Sequence, residues 1–225
     1  MKRFLLLVFA CVLILPISVF GAPYEIKDQN VTIELDDNWV VFTRENISGN
    51  TKLAEMNISE DYMKNLLESN DAYMDAIYQE KALELFLRIK DADVDSIANY
   101  NEKQLNAVKD NFIKEAKASE GSVIKNDYNY IYTKYLSGDY RILSYYTVVN
   151  GKGYTFTIQK LSDLTEEDKN IGNQIINNIK FKVNEESKKS SDSKLKDSVI
   201  IIGIIVIVVG FLLFVAGKSK KKKYE

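Results

Sequence analysis

Val199 to Gly217 is a run of 19 residues without a charged side chain. As a helix rising about 1.5 Å per residue it spans roughly 28 Å, close to the hydrocarbon thickness of a bilayer. Soluble domains seldom hold a helix this uniformly apolar, so the run predicts a transmembrane helix over residues 198–217. Lys218, Lys220, Lys221, Lys222 and Lys223 follow it. Flanking positive charge marks the cytoplasmic side. The expected topology is single-pass in the cell membrane, with a short basic tail over 218–225 inside and everything before the helix outside. The tail lysines also suit anionic lipid headgroups.

The other end carries a second apolar signal. Lys2 and Arg3 precede the uncharged stretch Phe4 to Leu15, Pro16 interrupts it, and Val19-Phe20-Gly21-Ala22 offers small residues at its close. This is the layout of a secretory signal peptide over residues 1–22, cleaved after Gly21 or Ala22. An uncleaved first anchor leaves the same central region outside. Glu185 to Lys196 (EESKKSSDSKLK) is polar and without apolar period, which reads as a flexible stalk over 184–197. Residues 24–183 remain as one extracytoplasmic domain.

Several chemistries are excluded by composition. The chain has no histidine, and its only cysteine is Cys11, inside the leader. A Ser-His-Asp or Cys-His catalytic arrangement, a Cys/His zinc site and an internal disulfide are therefore ruled out. Setting aside Lys2, Arg3, the five tail lysines and Glu225 leaves 23 basic and 31 acidic residues between the two apolar segments. An acidic exterior does not suit phosphate-backbone contacts, so no nucleic-acid partner is expected.

Alternation of apolar and polar residues marks strands at Val31–Leu35, Trp39–Thr43, Leu83–Ile89, Tyr128–Thr133, Tyr140–Val149 and Tyr154–Gln159. Asn150-Gly151 is a two-residue hairpin signal, since both positions accept positive φ. Three consecutive strands between Asn126 and Lys160 thus form a meander. Three amphipathic helices are expected. One starts near Ser59 with Tyr62, Met63, Leu66 and Leu67 on its apolar face. Another starts near Asn101, with Gln104 placed for a reciprocal cap. The last starts at Thr165 and repeats isoleucine at 171, 175 and 179. Each helix has one face to bury, which an antiparallel sheet with helices on it provides. The expected class is α+β.

The order of these motifs carries a resemblance. The opening Val31-Thr32-Ile33-Glu34-Leu35-Asp36-Asp37-Asn38-Trp39 is a strand, a turn and a tryptophan. The close is Tyr154-Thr155-Phe156-Thr157-Ile158, then the helix Ile171 to Ile179, then Lys180-Phe181. From Asn30 to Phe181 the pattern resembles the PsbP-like family, in particular bacterial extracytoplasmic members with a signal peptide and a C-terminal membrane anchor. The resemblance implies an α/β/α sandwich around an antiparallel sheet. It implies no catalytic residues, because the fold hosts no single activity.

The sharpest local motif is Asp91-Ala92-Asp93-Val94-Asp95-Ser96-Ile97-Ala98-Asn99-Tyr100-Asn101-Glu102. Asp91, Asp93, Asp95, Asn99 and Glu102 fall at positions one, three, five, nine and twelve of an EF-hand loop, the spacing that supplies oxygens to Ca²⁺. Ser96 stands where that loop needs glycine. The alternative is an acidic strand-to-helix loop whose Asn101 caps the next helix. The many tyrosines of the meander suit sheet packing, or else an exposed aromatic platform. Glu166/Glu167 and Asp36/Asp37 invite a carboxylate-pair hydrolase reading, but a helix N-terminus and a turn explain them. The expected function is therefore a membrane-tethered, non-enzymatic interaction or accessory module of the bacterial cell envelope, contacting lipid and an envelope protein, with no cofactor. The alternative is an extracytoplasmic ligand- or Ca²⁺-binding sensor.

Overall fold

The computed structural model describes residues 20–182. The first 19 residues of the expected signal peptide, the segment expected to be a stalk, the apolar run 199–217 and the lysines after it lie outside the described residues. In chain order the elements are β1 (Phe20–Ile26), β2 (Val31–Asp36), β3 (Trp39–Thr43), α1 (Thr51–Glu55), α2 (Glu60–Ser69), β4 (Ala72–Tyr78), β5 (Leu83–Asp91), α3 (Glu102–Ala116), β6 (Glu120–Ile124), β7 (Tyr130–Ser137), β8 (Tyr140–Val149), β9 (Lys152–Lys160), α4 (Glu166–Asn177) and β10 (Lys180–Phe181). Among the described residues no helix is long and apolar enough to cross a membrane.

Seven strands form one sheet in the order β3-β4-β5-β9-β8-β7-β6, and β1-β2-β10 form a second. Every pairing is antiparallel. The α+β expectation holds, with an addition: the strand at Val31 belongs to the small sheet rather than to the large one. Successive strand residues point to opposite faces, so the large sheet has two distinct surfaces. Leu85, Leu87, Leu143, Tyr132 and Phe156 share one of them. They pack under Ile33 and Leu35 of β2 and Ile175 and Ile176 of α4. The other surface is covered in two patches. Over β3–β5, Leu53 of α1 and Met63 and Leu67 of α2 meet Phe42 and Phe86. Over β7–β8, Leu105, Val108 and Phe112 of α3 meet Ile131, Tyr146 and Val148.

Local chemistry explains the boundaries. Ser59, Asn101 and Thr165 are N-caps, each accepting a backbone N–H of its first turn. Asn101 and Thr165 complete reciprocal boxes with Gln104 and Asp168, each satisfying donors that the helix cannot. Asn150 and Gly151 have φ of 52° and 72°, the geometry that lets a two-residue turn follow the strand twist. The helical face expected at Ser59 needs one correction: Met63 and Leu67 are buried, but Tyr62 is 59% exposed.

The ends of β8 define the two ends of the domain. At one end the Asn150–Gly151 turn leads to β9, and Asn150 Nδ2 donates to the Lys182 carbonyl, where the described chain stops. At the other, the Ser137–Asp139 hairpin joins β7 to β8. Ten residues at about 3.3 Å each separate these ends by roughly 30 Å.

Candidate functional site

The Asp91–Glu102 loop lies at the Lys182 end. Its backbone is spent on the fold. Ala92 N–H donates to the Gly151 carbonyl, Gly151 N–H donates to the Asp95 carbonyl, and Ile97 N–H donates to the Val148 carbonyl. The Ile97 carbonyl, at the position that ligates Ca²⁺ through its backbone in an EF-hand, accepts from Tyr100 N–H and from Asn129 Nδ2. Asp91 ends β5 and pairs with Lys152 at 3.5 Å. Glu102 opens α3 behind its Asn101 cap, and its carboxylate lies 3.9 Å from Lys125 Nζ. Asp91, Asp93, Asp95, Asn99 and Glu102 are not gathered around a common centre: among the described residues no group of three or more histidine, cysteine or carboxylate side chains is placed to hold a metal. The loop is a strand-to-helix connection pinned to the hairpin beside it.

The tyrosines of the meander are mostly core. Tyr130, Tyr132, Tyr135, Tyr145, Tyr146 and Tyr154 are buried, as is Trp39. Tyr140 is the departure, at 39% exposed. Glu166 sits in the first turn of α4 and Asp36 Oδ1 accepts from Asn38 N–H, so the two carboxylate pairs hold the local roles their positions suggest.

A polar seam that no spacing motif marks begins beneath the α1–α2 patch. Asp75 on β4 is fully buried, opposite Phe86 on β5. Neither of its carboxyl oxygens has a hydrogen-bond partner among the described residues. Glu84 and Arg88 flank Phe86 on the same face, so both are diagonal neighbours of Asp75. Arg88 is 5% exposed. Its Nε donates to the Asn70 carbonyl at 3.0 Å, and its guanidinium lies 4.9 Å from the Phe86 ring centre. Glu84 is half-buried and accepts from Gln159 Nε2 at 2.6 Å. Burial pushes the Asp75 carboxyl up to about 8; the nearby Glu84 charge adds to this and Arg88 opposes it. Burial also raises Glu84, against the pull of Gln159 and Arg88, and lowers Arg88 to about 10. One cation therefore stands beside two carboxyl groups that are costly to ionise, so Asp75 is held protonated at neutral pH.

The seam emerges at the hairpin end. Tyr140 points to the same face as Gln159 and Glu84. Its hydroxyl is raised first by burial, then by the charges of Glu84, Tyr62 and Asp139 around it. Tyr62, Leu136, Tyr140 and Leu161 are the large apolar or aromatic side chains left exposed among the described residues. Leu136 and Tyr140 flank the hairpin, and Arg141 Nη1 ties it to β9 by donating to the Asp139 and Leu161 carbonyls. All four thus lie at the end away from Lys182. A separate cavity of about 310 Å³ opens between α3 and β6, lined by Leu105, Lys109, Gly121, Val123 and others. Its ionisable lining is Glu102, Lys109 and Lys125, of which Lys125 lies 3.9 Å from the Glu102 carboxylate.

Among solved structures, the chain is similar to the solution structure of cyanobacterial PsbP (CyanoP) from Synechocystis sp. PCC 6803. The two share 11% sequence identity with a TM-score of 0.46, over 74% of this chain and 95% of that one. That protein belongs to the family the sequence motifs resemble. No family model matches the sequence, and no curated protein does.

Proposed function

We propose that the chain is a membrane-tethered extracytoplasmic module whose role is non-enzymatic: it presents a folded domain to an envelope protein. One observation supports this reading best. The described chain stops at Lys182, on the sequence side of the uncharged run 199–217, while the exposed side chains Tyr62, Tyr140 and Leu161 lie at the opposite end, with Leu136 on the other face of the same hairpin. Isolated apolar residues on a surface are ordinary; a group of them at one end is the usual mark of a contact surface. A tether at one end and a contact surface at the other suit a module that reaches outward.

The test is topological and then biochemical. Protease added to intact cells should remove the domain while leaving a membrane-bound fragment that carries the lysine tail. Crosslinking in intact cells should then join the full-length protein to a discrete partner. Protection of the domain from protease, or a chain recovered entirely in the soluble fraction, overturns the tethered reading.

A further inference from the structure

Resting on the tethered reading, we infer that the hairpin end of the domain is a docking surface for a cationic protein segment, whose lysine or arginine head group sits over Glu84 between Tyr62 and Tyr140. The charges at this end carry the inference. Three of its cations are already engaged: Arg141 with Asp163 at 3.1 Å, Lys81 with Glu167 at 2.6 Å and Lys160 with Asp168 at 3.1 Å. Lys114 and Lys117, at the end of α3 where Ala116 packs on Tyr135 and Ile142, have no ion pair among the described residues and are outnumbered by the unpaired carboxylates. Asp36, Asp37, Glu80, Asp139 and Glu166 have no ion pair among the described residues. The surface is thus left with uncompensated negative charge around exposed apolar side chains.

Glu84 is the focus. It is half-buried; the nearby Arg88 guanidinium also faces Asp75 and spends its Nε on the Asn70 carbonyl, and the hydrogen bond Glu84 accepts is from a neutral amide, Gln159. Burial without a full counter-charge is costly, and a cation arriving from a partner offsets that cost where solvent is excluded. Tyrosine rings beside a carboxylate favour the same guest, since a cation is attracted to the ring face. Tyrosine is also a residue on which interface energy concentrates. The carboxylates that attract a basic segment repel an anionic bilayer, so the surface suits protein and not lipid.

The probe is a fluorescent octapeptide of alternating leucine and lysine, titrated against the full-length protein in non-ionic detergent. The expected result is saturable binding that weakens as salt is raised. A peptide with glutamate in place of lysine, and vesicles rich in anionic lipid, should not bind. Glu84→Gln should weaken peptide binding about tenfold. Because Glu84 touches the buried seam, Asp139→Asn combined with Tyr140→Ser is the second variant. It alters exposed side chains alone and should weaken binding by a similar factor. Equal binding of the glutamate peptide, or near-parental affinity in both variants, overturns the inference. Crosslinking in cells separates this from the tethered reading. A partner retained by the Asp139→Asn/Tyr140→Ser protein overturns the docking surface and leaves the tether standing. If neither protein captures a partner, the tethered-module reading fails, and the peptide comparison still decides the surface.

Discussion

Asp75 and Glu84 stand on one face of adjacent strands, offset by a single row: Asp75 is opposite Phe86, and Glu84 is opposite Ile77. Two carboxyl groups thus share a poorly solvated strip with one guanidinium, Arg88. The arrangement cannot keep all three charged without cost, and the proton stays on Asp75.

This relationship sets a pH dependence. In the folded domain the Asp75 carboxyl titrates at about 8, against about 3.9 in an unfolded chain. Between these values the folded state holds a proton that the unfolded state has lost. Stability therefore falls as pH rises through that window and levels off above it. The raised Glu84 acts in the same direction; Arg88 faces both carboxyls but stays charged throughout. Asp75→Asn removes the titration. Denaturant unfolding should find the variant about as stable as the parent near pH 4 and several kcal/mol more stable at pH 8. Parallel stability curves for the two proteins would sink this reading of the seam.

Gly172 is a packing constraint. A Cβ built there lies 2.3 Å from Tyr145 Oη and 2.8 Å from the ring carbon that bears it. The Tyr145 hydroxyl also donates to the Lys169 carbonyl at 3.4 Å. Gly172→Ala should therefore cost about 1–3 kcal/mol, as overpacking does in a filled core. Adding Tyr145→Phe removes the nearest atom and should recover part of the loss. Melting temperatures of the single and double variants decide it, and an undisturbed Gly172→Ala protein would count against the packing described.

The loop from Asp91 to Glu102 gives a third contrast. Asn101 caps α3 through its side chain at 3.0 Å, whereas Asn99 belongs only to the Ca²⁺ pattern. Asn101→Ala should cost about 1 kcal/mol, while Asn99→Ala should be nearly neutral. Millimolar Ca²⁺ should leave the melting temperature of the parent unchanged. A Ca²⁺-dependent rise that Asn99→Ala abolishes would restore the sensor reading.

How much of this was legible varies by element. The meander could be read because its alternation is long and its turn residues are unambiguous, and the helix starts because capping is local chemistry. β4 was not read. Its sequence, Ala72-Tyr73-Met74-Asp75-Ala76-Ile77-Tyr78, places a carboxyl at a buried position, and a register shift between Ala72 and Met74 breaks the period. β6 is short and holds Gly121, so little periodicity survives. β10 depends on pairing with β2 across more than a hundred residues, which local pattern cannot convey, and β1, although a near neighbour of β2 in sequence, shows no alternation of its own. The polar seam was missed for a related reason. Glu84 and Arg88 alternate with leucines and so read as a solvent face, although Phe86 between them signals that this face is covered. Asp75 joins them only through tertiary pairing.

The shortest strand bears on how the domain withstands force. β10 is two residues long, yet its Phe181 ring lies 4.7 Å from Tyr128 and 4.6 Å from Tyr154, and Lys182 N–H donates to the Asn30 carbonyl. Tension applied through the chain beyond Lys182 meets this aromatic clasp, at the edge strand of the small sheet, before it reaches β2 or the large sheet. The clasp is thus a mechanical fuse: once Phe181 is drawn out, β2 loses one of its two neighbours and the core below it is opened to water.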